Sequence, residues 1–108
     1  MSESLQLTVT IADDGTESSV IAAKGFARGG FACPAGFVGT AMTFQVSTDN
    51  STFYAHEAAG GSATSVTVEA SKAYAIPSEV MAWPFIKLVS GSSETGGPLT
   101  IPVTLVTP

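Results

Sequence analysis

The chain has 108 residues, a net charge of −5 and an apolar content of 44%. This length suits one domain with a single modest core, and the apolar content excludes intrinsic disorder. Charged residues make up only 12% of the chain, and 13 serines and 13 threonines take their place. The four cationic residues, Lys24, Arg28, Lys72 and Lys87, are scattered along the sequence. Because a surface that binds nucleic acid needs clustered cations, we expect no nucleic-acid partner.

Cys33 is the single cysteine, which excludes an internal disulfide and is typical of a protein made in a reducing compartment. The first residues lack the basic and apolar regions of a signal peptide. No apolar run approaches the ~20 residues that a membrane-spanning helix needs. We therefore expect synthesis in the cytoplasm and no association with a membrane.

Alternation of apolar and polar residues predicts strands along most of the chain. The pattern is clearest in residues 5–11, 41–48, 85–90 and 99–107, with weaker strands at 52–55, 66–69 and 73–76. A strand at Ser18–Ala23 is predicted after the turn at Asp13–Gly15. Residues 25–39 are rich in glycine and predict a loop with short irregular strands, and residues 90–98 predict a polar loop.

Short strands at this spacing predict an all-β fold with a single domain over residues 1–108. We expect a jelly-roll-like β-sandwich of about eight short antiparallel strands, with at most one helical turn near residues 78–82. Pro102 cannot donate a hydrogen bond to a ladder, so the last strand is predicted to lie at an edge or to carry a bulge. Phe44 and Ile86 are predicted to be core residues on facing sheets.

Residues that carry enzyme chemistry are scarce. His56 is the only histidine, so a general base, a Ser–His dyad or a histidine zinc site would each depend on it; we interpret it as an exposed polar residue. Cys33 is interpreted as a buried apolar residue. Asp13, Asp14 and Glu17 cluster at a turn, as calcium ligands do, but their spacing matches no calcium loop. No phosphate-binding glycine motif is present. We expect no catalytic residue, no cofactor, no metal and no enzymatic activity.

Four aromatic residues offer a different hypothesis, a platform on which a sugar ring stacks. They are Phe53, Tyr54, Tyr74 and Trp83. Trp83 stands between Ala82 and Pro84 just before a predicted strand, which favours a place in the core near one end of the sandwich.

Two segments resemble known proteins. Thr43–Tyr54, with the sequence TFQVSTDNSTFY, resembles the hairpin of discoidin-like, galactose-binding-type jelly rolls, and Phe85–Ser90 resembles a later strand of that fold. Over about residues 5–107 the chain is similar to a group of small structural proteins of tailed phages. The shared features are the TFQ-S-D---F hairpin, a Val-Thr-Val strand, an AYAIP segment, a WPFIKLVSG-like strand and a final TLTLVT-like strand.

The resemblance to phage proteins implies a virion protein made in the host cytoplasm. It implies a capsid cement or decoration protein that binds the outer face of the head shell, with the major capsid protein as its partner. A tail or baseplate component and a carbohydrate-binding jelly-roll module are the alternatives, although no sugar-binding residue can be matched.

We expect this protein to form a homo-oligomer, a dimer or a trimer, and to contact the shell through two regions. The first is Met1–Leu7, with Leu5 and Leu7. The second is the glycine-rich segment with Phe26, Phe31 and Phe37. Three phenyl rings in so short a segment exceed what a sandwich of this size is expected to bury, and exposed apolar patches mark interaction surfaces.

Overall fold

The computed structural model describes residues 3–108, and this part of the chain forms ten β-strands and one 3-10 turn. The strands are β1 (Ser4–Ile11), β2 (Gly15–Glu17), β3 (Ile21–Ala22), β4 (Arg28–Cys33), β5 (Ala41–Ser47), β6 (Tyr54–Ala55), β7 (Val66–Thr67), β8 (Lys72–Ala75), β9 (Phe85–Glu94) and β10 (Leu99–Val106). The 3-10 turn covers Val80–Ala82, inside the predicted helical turn. The prediction of an all-β fold is confirmed.

The strands form two antiparallel sheets that pack face to face as a β-sandwich. The four-stranded sheet has the order β1-β10-β4-β8. The six-stranded sheet has the order β2-β9-β5-β6, with β3 paired to β9 and β7 paired to β5. The first and last strands pair along their whole length, from Ser4 opposite Val106 to Ile11 opposite Leu99. Strands from both ends of the chain therefore lie side by side in one sheet.

The core lies between the sheets because every long strand turns alternate apolar side chains inward. The four-stranded sheet contributes Phe31, Ile101 and Leu105, among others, and all are at most 3% exposed. The rings of Phe31 and Phe44 meet edge to face across the core, with centroids 6.4 Å apart and planes at 67°. Such contacts between aromatic rings add to the free energy gained by burial.

Phe44 and Ile86 are both buried, at 1% and 0% exposure, as predicted. Their assignment to facing sheets is wrong, because β5 and β9 are neighbours in the six-stranded sheet, with Phe44 opposite Leu88. The residue that faces Phe44 from the other sheet is Phe31. Alternation reveals which side of a strand is buried, but it does not reveal which strand lies beside it.

The glycine-rich segment contains a regular strand of six residues, β4, in the middle of the four-stranded sheet. Gly29 allows close packing there, since a Cβ at this position would lie 3.0 Å from a methyl of Leu105 and 3.1 Å from one of Ile76. Phe31 and Phe37 are buried, and Phe26 is half-buried against the core. The expectation that the interior cannot accommodate these rings is therefore wrong for Phe31 and Phe37.

Three further expectations are corrected. The predicted polar loop begins too early, because β9 continues to Glu94 and pairs with β2 through an irregular register. The predicted strand Ser18–Ala23 is reduced to the two residues of β3. β10 is an interior strand and not an edge. Pro102 is tolerated because the ladder between β10 and β4 covers only Val103–Val106.

Candidate partner-binding surface

The outer face of the four-stranded sheet carries an open groove of about 660 Å³, which we call the trough. All four strands line it, through residues 6–8 of β1, 30–32 of β4, 73–75 of β8 and 102–104 of β10. These strands turn their large apolar side chains into the core, so the alternate, outward residues form the surface of the trough.

The pairing register explains why the trough is broad and shallow. One row across the sheet consists of Gln6, Thr104, Gly30 and Ala75, each opposite the next. At Gly30 a Cβ would lie 3.1 Å from the carbonyl oxygen of Tyr74, an unusually close contact that glycine avoids. The next row includes Thr8, Pro102 and Ala73, all exposed. Small side chains in the middle of the sheet leave space above the backbone.

No residue that lines the trough is charged. Outward positions of a sandwich normally carry charged or strongly polar side chains, but here they are alanine, glycine, proline and threonine, with Gln6 at one side. Gln6 donates its side-chain Nε2–H to Thr104 Oγ1 at 3.1 Å, so the polar groups are partly satisfied within the chain. Such a face loses little hydration when it is covered, and depletion of charge is typical of the centres of protein interfaces.

Only some of the residues predicted to contact a partner border the trough. Leu5 is 47% exposed on β1, and Leu7 is half-buried and borders the trough. Phe31 also borders the trough, but its ring points into the core. Phe26 and Phe37 do not line the trough. Met1 and Ser2, the beginning of the predicted contact segment, lie outside the described residues.

Most of the trough was missed in the sequence because its residues are small. Ala32, Ala73 and Ala75 alternate with buried or half-buried side chains on β4 and β8. Alanine at outward strand positions is unusual, since alanine has low β-propensity and contributes little to a wet surface. Alternate alanine and glycine in two paired strands was the signal available in the sequence.

The outer face of the six-stranded sheet is different. Gln45 and Lys87 lie opposite each other on β5 and β9 and both contact Glu17. Gln45 donates to Glu17 Oε2 at 3.1 Å, and Lys87 Nζ lies 3.5 Å from Glu17 Oε1. The ammonium group of Lys87 also lies 4.6 Å from the centroid of the Phe53 ring. The charges of Glu17 and Lys87 on this face thus neutralise each other within the chain.

Glu94 is a carboxylate inside the sandwich, only 1% exposed. It accepts hydrogen bonds from the backbone N–H of Val38 at 2.7 Å, the N–H of Gly39 at 2.9 Å and the hydroxyl of Ser90 at 2.7 Å. A buried charge is tolerated when its oxygens are fully hydrogen-bonded. A Cβ on Gly39 would overlap Ser90 Oγ. Glu94 therefore fixes the loop before β5 to the end of β9.

Cys33 lies in the core near this carboxylate. Burial, and secondly the negative charge of Glu94, raise the pKa of the Cys33 thiol to about 11. Because the thiolate is the nucleophilic form, this sulfur is chemically inert at neutral pH.

The other candidate residues for chemistry are separated or hydrogen-bonded locally. His56 Nδ1 lies 2.7 Å from Thr64 Oγ1, a contact within one hairpin. Asp13 accepts the N–H of Gly97 at 3.0 Å, while Glu17 faces Lys87. Among residues 3–108, no group of three or more His, Cys, Asp or Glu side chains could hold a metal ion.

The four aromatic residues of the sugar-platform hypothesis lie on different elements. The ring of Tyr74 packs on Phe31 with centroids 5.8 Å apart, and Phe53 lies under Lys87. Tyr54 is 63% exposed on β6, and Trp83 is half-buried against the core. No ring–ring contact within the described part of the chain joins two of these four residues.

In the described part of the chain, no helix has the length and apolar character needed to cross a membrane.

Comparisons with known proteins give a similarity in fold but none in sequence. No protein-family model matches the chain, and no curated protein matches it in sequence. The fold is similar to the crystal structure of the SPBc2 prophage-derived protein YomS, with a TM-score of 0.66 and 12% sequence identity. The match covers 99% of this chain and 96% of that one. At this identity the likeness establishes a shared fold over the whole domain.

Proposed function

We propose that this chain is a structural protein of a bacteriophage virion, and specifically a capsid decoration protein that binds the outer face of the head shell and stabilises it. The trough is the observation that carries the proposal, since it is a broad, uncharged surface that a protein partner can cover at little cost in hydration. Two similarities support a phage origin. One is the resemblance in strand patterns to phage structural proteins, and the other is the likeness in fold to a protein described as prophage-derived.

The proposed partner is the major capsid protein, contacted through the trough. Each copy that spans two capsid subunits resists their separation, and many weak contacts then give a strong total effect. A protein that binds only the assembled shell also stabilises that shell by mass action. The net charge of −5 keeps the free protein soluble until it binds.

The proposal is tested with virions that lack the protein, to which purified protein is added back. We expect the depleted particles to break at lower temperature or in low salt, and the added protein to restore their stability. Electron microscopy should place its density on the outside of the head. Density at the tail would replace this proposal with the tail or baseplate alternative, and equal survival of depleted particles would refute it.

The trough itself is tested by adding a charge of either sign. Ala73→Glu and Ala73→Lys should both weaken binding to depleted heads, because each buries an unpaired charge in the interface. Thr67→Glu, at an exposed position of β7 in the other sheet, is the matched control and should bind like the parent. If only one sign weakens binding, electrostatic attraction and not burial of the trough is responsible.

A further inference from the structure

The free edge of β1 has backbone groups that no other strand of the described chain satisfies. β1 pairs with β10 on one side only. Thr107 donates its N–H to Glu3 O at 2.9 Å, and these two residues are opposite each other in the same register. Because hydrogen bonding alternates along an antiparallel pair, Leu5, Leu7 and Val9 bond to β10. The N–H and C=O groups of Ser4, Gln6 and Thr8 therefore point away from the sheet.

A second observation confirms this alternation. Thr10, the next residue in the same series, uses its outward groups to bond Ser19. Its N–H lies 3.1 Å from Ser19 Oγ, and its C=O accepts the N–H of Ser19 at 3.0 Å. The segment around Ser19 thus covers the end of the edge and leaves the part from Ser4 to Thr8 open.

This open edge has none of the features that normally prevent pairing between molecules. Edge strands are usually short, charged, bulged or interrupted by proline. Residues 4–9 form a regular ladder of uncharged residues without a proline, and Leu5 is 47% exposed. The opposite edge of the same sheet, β8, has only four residues and carries Lys72, which pairs with Glu69 at 2.9 Å. The six-stranded sheet ends in strands of two or three residues.

The sequence of the edge is complementary to itself. If Gln6 lies opposite Gln6 of a second copy, then Ser4 of each copy lies opposite Thr8 of the other. The free backbone groups of Ser4, Gln6 and Thr8 then form three hydrogen-bonded pairs between the copies. Leu5 of each copy then lies opposite Leu7 of the other, in a pair without backbone hydrogen bonds, where side chains approach most closely. The Glu3 side chains lie at opposite ends, about 20 Å apart for six residues of strand.

We propose that two copies of this chain pair through β1 in antiparallel register about a two-fold axis, with Gln6 at the centre, and so join their four-stranded sheets into one. The two troughs would then lie side by side, since Gln6, Leu7 and Thr8 form the edge of each trough. The occupant of the edge is a second copy because the uncharged residues 4–8 pair with themselves in the register above, so the molecule itself supplies a strand of matched length.

The size of the contact sets its expected strength. One strand pair of five or six residues is smaller than the ~1,200–2,000 Å² of a standard stable interface. The dimer should therefore be reversible, with dissociation in the micromolar range or weaker. Two copies of net charge −5 repel each other and the edge carries no charge, so added salt should strengthen pairing. Pairing is measured on purified protein and does not depend on the proposed binding to a shell.

The first experiment is analytical ultracentrifugation of the full chain from about 1 µM to about 1 mM. We expect a monomer–dimer equilibrium that added salt strengthens. Leu5→Lys places a charge on the edge at an exposed position and should weaken dimerisation at least about tenfold. Tyr54→Lys, at a 63% exposed residue on the edge of the other sheet, should leave it unchanged. A monomer at all concentrations, or a dimer that salt weakens, would overturn the proposal.

Hydrogen exchange provides a test on the unmodified protein. Amides of Ser4, Gln6 and Thr8 should gain protection as concentration rises, whereas those of Leu5 and Leu7 should be protected at every concentration by their bonds to β10. Dimerisation without new protection of the first set would show that another surface pairs.

The register is tested by mixing two single variants, Leu5→Cys and Leu7→Cys. Because these positions lie opposite each other between copies, the mixture should form disulfide-linked dimers faster than either variant alone. The native Cys33 is buried and inert in both. Faster cross-linking of either variant by itself would overturn the register.

Discussion

The two sheets of this sandwich share one core, but their outer faces differ in charge and polarity. On the six-stranded sheet, Glu17 contacts Gln45 and Lys87, and Lys87 covers the ring of Phe53. On the four-stranded sheet, the trough has no charge and exposes mainly small apolar groups. On the first face, the charged groups of Glu17 and Lys87 already have partners within the chain. The second face has few polar contacts to lose and space above its backbone, which is why we place partner binding there.

The free edges of the two sheets also differ, and again the four-stranded sheet is the one open to another molecule. The six-stranded sheet is bordered by short strands such as β2 and β6, which offer little continuous backbone to another molecule. The four-stranded sheet is bordered by the long open edge of β1. The two features on which we base our proposals, the trough and the open edge of β1, thus belong to the same sheet.

Removing the contact between Phe31 and Phe44 should have the largest effect on the free energy of unfolding, because both sheets pack on the core. In Phe44→Ala, the loss of the ring that meets Phe31 should lower the free energy of unfolding by about 3–5 kcal/mol. Phe53→Ala, which removes a phenyl ring outside the core, is the matched control and should cost about 1 kcal/mol or less. Urea denaturation followed by circular dichroism measures both. Equal losses for the two variants would contradict the assignment of Phe44 to the centre of the core.

The buried carboxylate should have the next largest effect. Glu94→Gln keeps the shape but places an amide N–H where three donors now converge, so at least one donor loses its acceptor. We expect a loss of about 1–3 kcal/mol in the free energy of unfolding. Glu57→Gln, at an exposed residue, should change stability by less than about 0.5 kcal/mol. Hydrogen exchange at Val38 and Gly39 should speed up only in the first variant; unchanged exchange there would refute the role of Glu94 in fixing the loop.

How much of this structure the sequence predicts depends on the range of the interactions involved. Alternation is local, so β1, β5 and β10 and the burial of Phe44 and Ile86 were predicted correctly. Membership of a sheet depends on pairing between distant segments. The predictions that Phe44 and Ile86 lie on facing sheets and that Pro102 lies at an edge were therefore wrong. The prediction for Phe31 and Phe37 is wrong because it rests on a loop with short irregular strands in the glycine-rich segment, whereas Gly29 lets β4 pack closely as a regular strand.

The trough is the part of the candidate site that the sequence predicted least. Leu7 is a predicted contact residue and borders the trough, but the outward residues Gly30, Ala32 and Ala75 have no functional group that marks them as part of a site. Their role comes from register, which places a glycine of one strand opposite an alanine of the next. The small residues at alternate positions are visible in the sequence, but no local pattern shows that these two strands pair.

The comparison between the two outer faces is tested directly by a pair of variants. Lys87→Ala removes an ion pair and a cation–π contact and should cost about 0.5–1 kcal/mol of stability. Ala73→Lys adds a charge at an exposed position of the trough and should change stability by less than about 0.5 kcal/mol. Binding to depleted heads should show the reverse order, with loss for Ala73→Lys alone. If Lys87→Ala also loses binding while remaining folded, the six-stranded sheet takes part in the interface.

The smallest expected effect is the response to acid at the turn between β5 and β6. Asp49 accepts hydrogen bonds from the backbone N–H groups of Thr52 and Ser51 and from the hydroxyl of Ser47, and these lower the pKa of its carboxyl below the usual 3.8. The stability gained from this carboxylate is therefore fully present above the pKa of the unfolded chain, and is lost as pH falls through the lower pKa of the folded protein. Melting temperature measured against pH should fall below about pH 4 in the parent, and less steeply in Asp49→Asn. Asp14→Asn, at a turn position with a φ of 62°, is the control for loss of one charge. If Asp49→Asn keeps the full acid slope of the parent, the turn does not contribute to acid sensitivity.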